Sequence, residues 1–194
     1  MPSSRWLTIP NAITIGRLLL VPVFVALHLV GRPGWALVCF VTAAASDGID
    51  GFLARVLDQR SKLGGILDPI ADKALVSAAL ITLVIERRLP LWLLCVIAFR
   101  DLWMAAGLLV VRHKRLEIPT SPSRIGKYAT FGLACLVVLA LADQVVENSP
   151  QLHAYMVVIG FIAGLCVVIS TLQYFARFGY LLVAPPKPPS QAEK

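Results

Sequence analysis

Long apolar runs, broken by short polar joints, set the pattern of this chain. The runs lie near residues 10–30, 34–57, 68–86, 89–111, 126–146 and 152–182. Each approaches the roughly 20 residues that carry a helix across about 30 Å of hydrocarbon. The pattern therefore predicts an all-α integral membrane protein with six transmembrane helices. The joints hold Gly, Pro or Arg: Gly31-Arg32-Pro33, residues 60–65, Arg87-Arg88, residues 112–126 and residues 147–150. Residues 1–184 read as one membrane domain and the Pro-rich residues 185–194 as a tail. Only Arg5 precedes the first run and no Ala-x-Ala site follows it. The first run is therefore expected to stay as a helix rather than be removed as a leader.

Composition agrees with the pattern. The chain is 58% hydrophobic, with a mean hydropathy of +0.78, well above a soluble domain. Its net charge of +7 would suggest nucleic acid if the cations gathered on a soluble face. They sit instead in loops between spans, which points to lipid headgroups and phosphorylated substrates and to no nucleic acid. With the N-terminus in the cytosol, all but four of the 18 Lys and Arg fall on that side or beside it. Arg32, Arg87 and Arg88 fall opposite, and Arg100 lies in mid-span. This predicts a multi-pass protein of the cell (inner) membrane with both termini cytosolic. The four cysteines are far apart in apolar segments, and the three histidines lack ligand spacing, so neither predicts a metal site.

One stretch breaks the apolar rule. Asp47, Asp50, Asp68 and Asp72 follow one another at intervals of three, eighteen and four. One acid at mid-membrane costs roughly 2.5–3.5 kcal/mol, so four need neutralising. The apolar part of the second run, residues 35–45, is too short to cross alone. Continued through the acids it gives roughly 36 Å of helix, which leaves Asp47 in the cytosolic leaflet near the surface. Asp47 and Asp50 share a helix face, and Gly48, Gly51 and Ala54 leave room for close approach. Gly64, Asp68 and Asp72 align if the third helix starts early; otherwise Asp68 caps it with Pro69 in its first position. Four carboxylates without His or Cys suit two Mg²⁺ or Mn²⁺ ions. Such a pair can clamp the entering and leaving oxygens of a phosphoryl-type displacement. The competing readings are a salt-bridged helix pair or the ion path of a small cation-coupled transporter. Arg55 and Lys73 are too few to neutralise four acids, and no paired repeat supports a transporter.

The pattern Asp47-x-x-Asp50-Gly51-x-x-Ala54-Arg55, eight residues, Gly64-x-x-x-Asp68-x-x-x-Asp72 resembles the signature of the CDP-alcohol phosphatidyltransferases at every position. The resemblance implies a metal-dependent transfer of a phosphatidyl group from CDP-diacylglycerol to an alcohol, with release of CMP. It implies that Asp47, Asp50, Asp68 and Asp72 hold two divalent cations, Asp72 also serving as general base. Gly51, Ala54 and Gly64 would line the cytidine site, and Arg55 would meet the pyrophosphate. A homodimer with a cytosolic-side active site is also implied.

For the acceptor, residues 9–17 (Ile-Pro-Asn-Ala-Ile-Thr-Ile-Gly-Arg) resemble the opening of bacterial phosphatidylglycerophosphate and cardiolipin synthases. Asn11, Thr14 and Arg17 recur at helical spacing, either to contact the CDP-diacylglycerol headgroup or as a capped helix start with Arg17 snorkelling to the surface. Arg100 is an intramembrane cation, either for an acceptor phosphate or paired with an acid. Phosphatidylglycerophosphate synthases tend to follow such a residue with Glu; Asp101 is closer to the cardiolipin-synthase type. Arg124 and Lys127 open the fifth run, as acceptor-phosphate ligands or as positive-inside anchors. Glycerol 3-phosphate is the expected acceptor, phosphatidylglycerol the alternative, and inositol phosphate or serine a third choice.

Overall fold

The computed structural model describes the backbone of residues 9–56, 64–113, 124–146 and 149–183, and the side chains of residues 12–46, 70–107, 109, 125–146 and 149–176. Six helices follow in order: α1 (Ile9–Leu29), α2 (Pro33–Val56), α3 (Gly64–Ile85), α4 (Leu91–His113), α5 (Arg124–Val145) and α6 (Pro150–Val183). Each apolar run became one helix, because a backbone in hydrocarbon must satisfy its polar groups within itself. The largest departure is at α3, which starts at Gly64. Asp68 and Pro69 therefore lie inside the helix, and Gly64, Asp68 and Asp72 stand on it at intervals of four. The reading of Asp68 as a cap is set aside. Residues 57–63, residues 114–123 and the tail at 185–194 lie outside the described residues.

Among the described residues, three helical segments are long and apolar enough to cross a membrane: Ala12–Leu29, Ile125–Val145 and Pro150–Ala176. A shorter apolar helix, Pro33–Ser46, ends where the acidic motif begins.

The chain divides into two compact units. The first comprises Met1–Pro90 and Leu133–Ile159, the second Leu91–Gly132 and Gly160–Lys194. In the first, α1 packs against both α2 and α3. Thr14, Arg17, Phe24 and His28 are its buried positions, a single stripe at helical spacing. Ala36, Phe40 and Ala43 of α2, and Ala71, Leu75 and Ala79 of α3, are buried too. The α1–α2 joint is a Schellman turn: Arg32 N–H donates to Leu27 O and Gly31 N–H to His28 O, both at 3.0 Å. Gly31 sits there at φ 72°, which glycine adopts without a Cβ clash. The end of α3 repeats the turn with Arg87 at φ 58°. In the second unit, Gly164 lets the Trp92 ring against α6, since a Cβ there would lie 2.8 Å from it.

Candidate active site

The acids continue the core stripes of their helices. Asp47 and Asp50 stand seven residues after buried Phe40 and Ala43; Asp68 and Asp72 stand seven before buried Leu75 and Ala79. Seven residues are nearly two turns, so each pair keeps its helix's stripe. The packed face of both helices thus changes from apolar to acidic towards one end.

Contacts set the levels of these positions against α1. The Phe24 and Phe40 rings meet with centroids 6.0 Å apart, and Cys39 Sγ–H donates to Leu20 O at 3.6 Å. The tight turn at Gly31 makes the two helices antiparallel. Counted from these two contacts, Arg17 of α1 stands at the height of residues 42–47 of α2. His28 Nε2 lies 2.8 Å from Glu86 Oε2, at the parallel ends of α1 and α3. Two heptads back stand Thr14 and Asp72, again level. Thr14 and Arg17 are each 1% exposed, and Asp72 is half-buried. The snorkelling alternative for Arg17 fails: its side chain goes into the protein rather than out to the surface. Arg17 is thus the basic group that sequence reasoning left undecided.

Of the other predicted residues, Asn11 is on α1, Gly51, Ala54 and Arg55 are on the last turns of α2, and Gly64 opens α3. The side chains of Asn11, Asp47, Asp50, Ala54, Arg55 and Asp68 lie outside the described residues. Among those described, no group of three or more His, Cys, Asp or Glu gathers. The donor chemistry of the motif, four carboxylates on two packed helices, fits hard divalent cations.

The basic residues predicted for the acceptor all belong to the second unit. Arg100 is 8% exposed and donates through Nη2 to Gly126 O at 3.5 Å. The same carbonyl accepts from Thr130 Oγ1 at 3.1 Å. Arg100 has no acidic partner among the described residues. Lys127 is exposed, and the Arg124 side chain lies outside the described residues.

Residues 7–172 of the chain match one family, the CDP-alcohol phosphatidyltransferases. The chain belongs to that family. CDP-alcohol phosphatidyltransferases are membrane-embedded and generally depend on divalent metal. The chain is 38% identical over 139 residues to a protein of Streptomyces coelicolor named cardiolipin synthase (CMP-forming). That match covers 68% of this chain and 63% of the relative, less than two thirds of its length. It is 34% identical to the CDP-diacylglycerol--glycerol-3-phosphate 3-phosphatidyltransferase of Pseudomonas fluorescens, over 87% of this chain and 88% of the relative. A Mycobacterium tuberculosis protein named "Probable phosphatidylglycerophosphate synthase" is 36% identical over 90% of this chain and 83% of its own length.

Proposed function

We propose that this phosphatidyltransferase moves a phosphatidyl group from CDP-diacylglycerol to glycerol 3-phosphate, giving phosphatidylglycerophosphate and CMP in phospholipid biosynthesis. The observation that carries the reaction is the run of four acids along the packed stripes of α2 and α3. The glycerol 3-phosphate acceptor is favoured by a relative named for it that matches along 87% of the chain, and by one named as a probable phosphatidylglycerophosphate synthase that matches along 90%. The 38% identity to the Streptomyces cardiolipin synthase, together with Asp101 after Arg100, favours a second reading with phosphatidylglycerol as acceptor.

Asp47, Asp50, Asp68 and Asp72 would hold two divalent cations, Mg²⁺ or Mn²⁺, which supply charge neutralisation for the phosphates when bound. Gly51, Ala54 and Gly64 let the cytidine approach the backbone, and Arg55 holds the pyrophosphate, with Asn11 and Thr14 beside the donor headgroup. Arg100, Arg124 and Lys127 hold the acceptor's phosphate. The acceptor hydroxyl oxygen attacks the phosphorus bearing the diacylglycerol. A P–O bond forms, the bond from that phosphorus to the bridging oxygen breaks, and CMP leaves. Asp72 takes the hydroxyl proton. In the same reading, residues 1–184 form one domain of six spans in the cell membrane, residues 185–194 a tail, with both termini cytosolic and two chains forming a homodimer.

The test is CMP release by purified protein given CDP-diacylglycerol and Mg²⁺ or Mn²⁺. Release with glycerol 3-phosphate is expected, and release with phosphatidylglycerol alone would make the chain a cardiolipin synthase. Silence with both acceptors, and with inositol phosphate and serine, would overturn the reaction.

A further inference from the structure

Among the described residues, three buried polar groups of the second unit lack a partner: Arg100 Nε, Trp103 Nε1 and Ser170 Oγ. Their neighbours show that this is not general in the unit. Thr171 Oγ1, next to Ser170, donates to Val167 O at 2.7 Å, and Thr130 Oγ1 donates to Gly126 O. Ser170 is 0% exposed and makes no such bond.

Contacts put the three within about one helical turn of one another. Trp92 meets Phe161 and Gly164, and Trp103 meets Phe175; the offsets are 69, 72 and 72 residues, so α4 and α6 run parallel. Arg100 is then level with residues 169–172, where Ser170 stands. A Cβ on Gly132 of α5 would lie 3.2 Å from Ala163 of α6. Ser170 is seven residues beyond Ala163, on the same face, and the antiparallel α5 reaches that height at Ile125 and Gly126. The Arg100 hydrogen bond to Gly126 O closes the circuit through all three helices. Trp103 is one turn from Arg100 on the same side of α4. Its indole stacks on Phe175 at 4.6 Å and 14° and on Phe99 at 6.3 Å and 19°, which fixes the direction of its N–H.

All three groups can donate. A guanidinium carries five N–H donors and no acceptor, an indole one donor, and a serine hydroxyl one. Arg100 uses one of its five among the described residues, on a long bond. Buried and without a counter-charge, a cation is costly. A group that accepts from all three and neutralises Arg100 is an anion with several oxygens.

We propose that Ser170 and Trp103 complete, with Arg100, a binding site for a phosphate group, the one carried by the acceptor. The assignment of that phosphate to an acceptor rests on the phosphatidyl-transfer reading; the anion site itself does not. Ser170 and Trp103 are its specificity-determining members, since both are short-reach neutral donors held inside the unit and Lys127 is exposed.

The test uses the full chain in detergent and two variants that keep its packing. Trp103→Phe keeps the ring stack and removes the N–H, and Ser170→Ala removes the hydroxyl alone. Equilibrium binding is measured with glycerol 3-phosphate, inorganic phosphate and phosphatidylglycerol micelles, and acceptor and donor KM by CMP release. Each variant is expected to weaken phosphate binding and raise acceptor KM about tenfold. Donor KM and Tm should stay at wild-type values. Weakened binding of glycerol 3-phosphate places a soluble phosphomonoester in the site, and weakened binding of phosphatidylglycerol alone a lipid phosphodiester. Weaker phosphate binding in the variants, with no CMP release by the wild-type protein, would keep the anion site and remove the reaction. Wild-type affinity for all three probes in both variants would overturn the site.

Discussion

At the scale of single residues, the acids and Arg17 make opposite predictions about metal. Asp47→Asn and Asp68→Asn each remove one negative charge from the motif. Each should abolish CMP release and raise the divalent concentration needed for binding, while the protein still inserts and elutes as the wild type does. Full turnover by either variant would remove it from the metal set. Arg17 is 1% exposed and stands near the height of Asp47, so its positive charge would oppose the proposed cation binding at the same acids. Arg17→Met keeps the length of the side chain without the charge. It should lower the half-activating Mg²⁺ concentration several-fold even as turnover falls. A raised requirement would show that Arg17 does not act on the charge of the acids. The spacing of the acids was legible in the sequence because bilayer cost singles them out. The burial of Arg17 was not, since an arginine near a cytosolic helix start serves equally well as a surface anchor. Ser170 was silent for the same kind of reason: one hydroxyl in an apolar run usually bonds to its own helix.

At the scale of elements, hydropathy placed all six helices to within about four residues at each end. It could not choose the start of α3, because Asp68-Pro69 reads as a cap as readily as an interior pair. The turns after α1 and α3 were less legible still. Both are Schellman turns with their C′ residue in the left-handed region, Gly31 at φ 72° and Arg87 at φ 58°, and the sequence marks only the first with glycine. The left-handed region costs a residue with a Cβ roughly 1 kcal/mol. Gly31→Ala should therefore lower stability by about that amount, and Arg87→Gly should raise it by a similar amount. Arg87 is exposed, so little else is lost. Thermal unfolding in one detergent measures both, and a fall in Tm for Arg87→Gly would mean its side chain holds something the turn needs.

At the scale of the whole molecule, charge asymmetry and helix count make one topology prediction together. If all six helices span, as proposed, both ends would lie on one side. Arg32, Arg87 and Arg88 belong to the joints after α1 and α3, whereas the segments 57–63 and 114–123 hold Arg60, Lys62, Lys114 and Arg115. The positive-inside bias acts on short joints of this kind. The acidic ends of α2 and α3 adjoin the segment 57–63, so the same bias would give the proposed active site access to soluble CMP and glycerol 3-phosphate from the cytosol. Single cysteines placed at residue 60, in the segment 114–123 and after residue 184, in a background without the four native cysteines, should resist a membrane-impermeant maleimide in intact cells. One placed at residue 32 should react. Labelling at residue 60 from outside would put the acids on the wrong side of the membrane for the proposed substrates, and the reaction would fall with the topology.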